Sequence, residues 1–171
     1  MKKIFVSALI ASLLLISLAL SGCSSPKAPE GFSIYLTRDN TPVSELPAPG
    51  QIELADRPVI AMDAIVSYRQ ETHEIELTAD AYERVNNLDI PTSGMAFVAC
   101  VDSQPIYWGA FWAPFSSQSF DGVIILIPSL SPDEHFIQIE LGYPVSGFYS
   151  GEDPRSDPEI LQSLEQAGKL R

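Results

Sequence analysis

The chain has 171 residues, the length of one domain. Its 22 acidic side chains outnumber 10 basic ones, for a formal charge of −12, and a surface that acidic repels phosphate backbones and anionic headgroups. Nucleic acid is excluded as a partner, and two cysteines are too few for a disulfide framework.

The first element is a leader. Lys2 and Lys3 precede Ile4–Leu20, an apolar run without a charge, and Ser21 and Gly22 follow as small residues before Cys23. At 17 residues the run falls short of the ~20 that span a bilayer, and short side chains at its end are what a signal peptidase admits. The sequence Leu20-Ser21-Gly22-Cys23 resembles the bacterial lipobox. The resemblance implies that residues 1–22 are a lipoprotein signal peptide. It also implies that Cys23 is lipidated, which would tie the protein to the cell membrane or outer membrane. An uncleaved anchor or an ordinary secretory signal would leave the same side exposed, because the lysines stay in the cytoplasm. Every reading makes Ser24 onward extracytoplasmic. Loss of residues 1–22 removes two lysines and no acid, so the mature charge is 8 − 22 = −14.

Residues 23–31 read as the lipidated N-terminus and a short tether, "SSPKAPEG", and residues 32–171 as a single domain. Eight extended residues reach no more than ~25 Å, which keeps that domain close to its membrane. "FSIYLT" predicts a strand, and the prolines of "RDNTPVSELPAPGQ" predict a loop. "PVIAMDAIVSY" predicts a short strand at Val59 and Ile60, then a helical turn from Met62 to Val66. "HEIELT" alternates Ile75 and Leu77 with Glu74 and Glu76, the pattern of a half-buried strand. Thr78 stands where a helix N-cap belongs, and Ala81, Val85 and Leu88 recur on one helical face. "MAFVACVD" is apolar on both faces, as a central strand covered twice must be. Asp102-Ser103 turns it into "QPIYWGAFW", and "GVIILIP" and "HFIQIEL" supply two more strands. Asp157 and Pro158 open a last helix with the stripe Ile160, Leu161, Leu164 and Ala167, closed by Gly168. The expected class is α+β: a mostly antiparallel sheet with two substantial helices packed on it.

Catalytic constellations are scarce. Ser24-Ser25-Pro26-Lys27 matches S-x-x-K but lies in the tether, and no G-x-S-x-G or H-E-x-x-H occurs. Glu71, His73 and Glu74 with Asp133, Glu134 and His135 would make a zinc site only if two loops met, so neither metal nor cofactor is expected. Cys100 lies in an apolar strand with no nearby histidine and reads as a buried thiol. The acids of "GEDPRSDPE" lack calcium-loop spacing and read as a polar turn ahead of a capped helix.

From Arg57 to Ile127 the order of features is similar to the periplasmic head of SecD, an accessory subunit of the protein-export machinery. Carrying the likeness are a strand ending Leu77-Thr78, the acidic-start helix "ADAYERV", an apolar strand running into Asp102, and "FDGVIIL". Ser103 replaces the usual glycine, and no multi-span membrane region follows. The resemblance implies a head-like module that contacts another protein without a motor.

On the strand from Gln104, alternation groups Ile106, Trp108, Ala110 and Trp112 as core under the helices. Tyr107, Phe111 and, beyond the strand, Phe115 are then the candidate contacts for a partner or ligand, with Gly109 a notch between two rings. The expected role is a non-enzymatic interaction or accessory module of the cell envelope, meeting a protein or polypeptide partner. The alternative is a small-ligand binder using residues 104–115. The lipobox generates the first prediction: metabolic fatty-acid labelling marks the wild type, and Cys23→Ser abolishes the label and leaves the larger precursor.

Overall fold

The computed structural model describes residues 31–128 and 135–171, so Cys23, the tether before Gly31, and Asp133 and Glu134 lie outside the described residues. Seven strands, β1 (Phe32–Leu36), β2 (Ile65–Arg69), β3 (Glu74–Leu77), β4 (Met95–Val101), β5 (Gln104–Trp112), β6 (Phe120–Leu126) and β7 (Phe136–Tyr143), form one sheet. Two helices join them: α1 (Ala79–Asn86) after β3 and α2 (Pro158–Gln166) after β7. The sheet order is β1-β4-β5-β6-β7-β3-β2, antiparallel at every pair except the parallel β5–β6. This is the α+β architecture the sequence predicts.

The strands form where apolar residues repeat every second position, and β4 is buried on both faces. Phe97 and Ala99 enter the core under the helices, while Ala96, Val98 and Cys100 face the other side. One cover for β4 is helical: Ala81, Tyr82 and Val85 of α1, with Ile160 and Leu164 of α2, share the main core with Phe32, Ile75, Phe97 and Phe111. The other cover is the proline-rich loop, whose Val43, Leu46, Ile52 and Leu54 lie against that second face. Over β7, β3 and β2 the second face turns polar, with Gln138 exposed and Glu74, Glu76 and Glu140 half-buried.

Two helix ends behave differently. Asp157 caps α2 through Oδ1, which accepts the Glu159 N–H at 2.8 Å, and Pro158 occupies the first turn. Gly168 takes φ +68°, the left-handed conformation that ends a helix. Thr78 sits at the N-cap of α1 but makes no side-chain capping bond. In the α2 stripe Ile160 and Leu164 are buried and Leu161 is half-buried, whereas Ala167 is exposed because it lies past the helix, at the C-cap.

Both sheet edges are covered. Outside β1, Ile34 donates to the Ile60 carbonyl and accepts from Val59, each at 2.8 Å, and Thr37 bridges to Leu54. Outside β2, Tyr68 exchanges backbone bonds with Lys169 and Arg171, each at 2.8 Å. The edge strands β1 and β2 also approach each other, since the rings of Phe32 and Tyr68 meet edge-on at 6.4 Å. Helix α2 is anchored beside them by the Phe32 N–H, which donates to Ser163 Oγ at 2.8 Å.

Leu164 is fully buried, so Leu164→Ala should cost about 2–5 kcal/mol, the range for a leucine truncated in a core that cannot collapse. Chemical denaturation measures it; a loss below ~0.5 kcal/mol would mean α2 is not part of the cooperative core.

Candidate functional site

The face assignment on β5 requires correction. Tyr107 and Phe111 are 6% and 0% exposed and belong to the core under the helices. Trp108, Ala110 and Trp112 instead lie on the opposite face, with Val43 and Leu46 of the proline-rich loop. From Tyr107 to Trp112 the alternation holds with its sign reversed, because parity does not say which face meets the helices, and a bulge displaces Ile106 alone. Ala99 pairs with Tyr107 and Cys100 with Pro105, which leaves Ile106 without a partner. Proline has no N–H to give a ladder, and the extra residue beside it puts Ile106 on the same core as Tyr107. The Gly109 notch is also filled from within: a Cβ there would stand 2.5 Å from Phe97 Cζ. Phe97 and Phe111 pack ring to ring at 5.2 Å over the space that a partner would have needed. Tyr107 and Phe111 are therefore interior, and of the three candidate contacts only Phe115 is on the surface, 74% exposed.

Phe115 rides on the crossover between the parallel strands, residues 113–119, a connection far shorter than the dozen or more residues usual for parallel neighbours. So short a loop must lie flat on the sheet. Beneath it Trp112 stacks on Phe120 at 5.1 Å and 12°, with Trp108 6.4 Å from Phe120 and Tyr143 5.9 Å from Trp112. Glycine makes room for these rings: a Cβ at Gly94, whose φ is +82°, would collide with the Trp112 indole at 2.4 Å.

Polar contacts then fix the loop. The Tyr143 hydroxyl lies 2.8 Å from the Pro114 carbonyl and 3.2 Å from that of Ser116. Ser116 Oγ donates to the Thr92 carbonyl at 2.7 Å and accepts from the Gln118 N–H at 3.1 Å. The Ser116 N–H closes on Ala113 at 3.0 Å. Phe115 is thus held outward by a constrained backbone, and its exposure is a property of the fold.

A second cluster sits at the β2–β3 hairpin. His73, at φ +54° and nearly buried, places Nδ1 2.9 Å from the Tyr68 hydroxyl. The Tyr68 hydroxyl donates to the Arg155 carbonyl at 3.2 Å, and with its proton so placed, His73 Nδ1–H is the donor to Tyr68. The Arg155 guanidinium forks onto Asp153 at 2.9 and 2.7 Å and donates to the Ile139 carbonyl at 3.0 Å. Arg155 is the only lysine or arginine between residues 85 and 168, a signal legible in the sequence that composition alone passes over. Burial and then the Arg155 charge lower the His73 pKa, while burial raises that of Tyr68. The bond to Arg155 is the main cause that holds Asp153 below the usual carboxylate range.

The other candidate groups are placed plainly. Asp153 is paired by Arg155 and Asp157 caps α2, so both aspartates of "GEDPRSDPE" serve the fold. His73 precedes β3, whereas His135 lies at its other end, where its carbonyl accepts from the Leu77 N–H at 3.0 Å. The two histidines do not meet, and no group of three metal-ligating side chains occurs among the described residues. Cys100 is a fully buried free thiol whose pKa burial pushes up to about 12, the reverse of what a nucleophile needs. The indole Nε1 of Trp112, by contrast, is buried without an acceptor.

Comparison with known proteins gives no match: no family model fits the chain, and neither a curated protein nor a solved structure is similar to it.

The hairpin cluster carries a pH dependence of defined sign. The folded His73 pKa lies below the ordinary ~6.5, so the unfolded chain takes up this proton first as pH falls. His73's contribution is complete above ~6.5 and is lost progressively below it, until the folded imidazole also protonates, by at most about 1.4 kcal/mol per pH unit. Denaturant titrations at pH 7.5 and 5.5 should show wild type weakening more than His73→Gln. Equal slopes would mean that His73 titrates normally in the fold.

Proposed function

We propose that this chain is a membrane-tethered extracytoplasmic lipoprotein, held through lipid on Cys23, whose domain acts as a non-enzymatic interaction or accessory module for an envelope protein. One observation carries the reading: Phe115, 74% exposed, is presented on a crossover loop pinned by Tyr143 and Ser116. A rigid outward aromatic costs a partner little ordering on binding, and aromatic anchors of this kind dominate protein interfaces. Because both sheet edges are already occupied, strand addition is disfavoured and the partner is met through side chains. The small-ligand alternative draws support from the unpaired Trp112 Nε1, but Phe120, Tyr143 and the proline-rich loop already cover that ring. From the SecD-head resemblance the proposal keeps only the idea of an α+β head that meets a polypeptide.

A photo-crosslinking phenylalanine at position 115 in intact cells should give a discrete adduct, and the same residue at the buried position 111 should give none. Absence of an adduct at 115 would remove the interaction reading from this loop.

A further inference from the structure

The point where the chain enters the fold is fixed. The Gly31 N–H donates to Asp102 Oδ1 at 2.6 Å, and the Asp102 N–H returns to the Gly31 carbonyl at 3.1 Å, pinning the start of β1 to the β4–β5 turn. Strand directions place a second feature at this end of the sheet. Because β6 is parallel to β5, it starts where β5 starts, and antiparallel β7 ends there, at Tyr143. The loop that follows, residues 144–149, carries two of the four large apolar side chains exposed among the described residues, Val145 at 59% and Phe148 at 48%.

That loop is rigid. The Phe148 N–H bonds the Val145 carbonyl and the Tyr149 N–H that of Ser146, both at 3.0 Å, and Ser150 bonds back to Asp121 at 3.2 Å. At Gly142, φ +69°, a Cβ would lie 2.7 Å from the Tyr149 nitrogen, so only glycine lets the loop fold this tightly on β7.

We infer that this loop rests on the membrane that carries the lipid of Cys23, with Val145 and Phe148 entering the interfacial layer. The inference rests on the lipoprotein reading. Only seven residues, 24–30, separate Cys23 from Gly31, a reach of about 25 Å, against a domain ~35–40 Å across. The end bearing Gly31 therefore faces the bilayer, and Val145 and Phe148 are at that end. Two side chains bind lipid too weakly to hold a free protein, but tethering makes the contact intramolecular and raises its effective concentration. Asp121, bonded to Ser150, sets an acid beside the loop, and Asp102 in the β4–β5 turn adds another at the same end of the sheet, so the contact is apolar and anionic lipid opposes it.

The test uses the full lipidated chain in vesicles of phosphatidylcholine, with or without phosphatidylglycerol. A fluorophore is attached to Ser146→Cys or, at the opposite end of β4, to Ser93→Cys; the buried Cys100 does not compete for label. A lipid-borne quencher should quench the label at 146 at least about twofold more than at 93. Phosphatidylglycerol, or Val145→Ser with Phe148→Ser, should reduce the difference while the protein still floats with vesicles. Equal, weak quenching at both positions in floating protein overturns the inference and leaves the lipoprotein reading standing. Failure to float, with no lipid mass on Cys23, overturns both.

Discussion

A strand that is apolar on both faces must be covered twice, and β4 imposes that requirement on the rest of the molecule. Helices α1 and α2 cover one side. Nothing helical is left for the other, so the loop from Arg38 to Asp56 folds onto it and buries Val43 and Ile52. That loop is fixed by two short helical turns and by the Thr37–Leu54 bridge, which also closes the β1 edge. A proline-rich segment with neither strand nor α-helix of its own thereby becomes half of the β4 cover. Because it is a loop, the cover is thinner than a helix, and it extends over β1, β4 and part of β5 but leaves β3 and β2 to water.

The sheet margin is secured by polar chemistry. Tyr68 is buried at the edge strand, where its ring meets Phe32 and its hydroxyl meets both His73 and Arg155. Arg155 in turn reaches β7 through Ile139 and folds its own segment around Asp153. One base thus links the hairpin, the adjacent strand β7 and the approach to α2. Removing a single partner would leave a charge or hydroxyl desolvated, a cost above the small net value of each bond. The arrangement stabilises the neutral imidazole.

The same geometry separates what faces outward from what only appears to. The aromatic run from Tyr107 to Phe115 contains five rings, but four are packed against neighbours and one, Phe115, is presented to solvent. A short parallel crossover makes this possible, because it has to cross the Trp112–Phe120 stack and carries Phe115 on its outer side. At the Gly31 end of the sheet the apolar exposure belongs to Val145 and Phe148, so among the described residues large apolar side chains are displayed on two separate loops and, at Val66, on the edge strand β2.

The sequence by itself determined six of the seven strands, the two helices and the capping of α2, because each depends on local periodicity, on proline at a first turn and on glycine at positive φ. It read Ile65 and Val66 as the end of a helical turn, whereas the turn stops at Ala64 and both residues belong to β2, which pairing with β3 holds extended. It also determined that Cys100 is interior, since no residue of "AFVACV" offers a polar face. It could not determine which side of β5 meets the helices. Alternation gives relative parity along a strand but no sign, and one unpaired residue beside Pro105 shifts that parity for Ile106. Nor could it reveal that Gly109 accommodates Phe97, or that Arg155 joins Tyr68 to Asp153, since those partners lie far away in sequence. Contacts of that kind are decided when the strands are ordered in the sheet, and strand order follows from which apolar faces can be covered together.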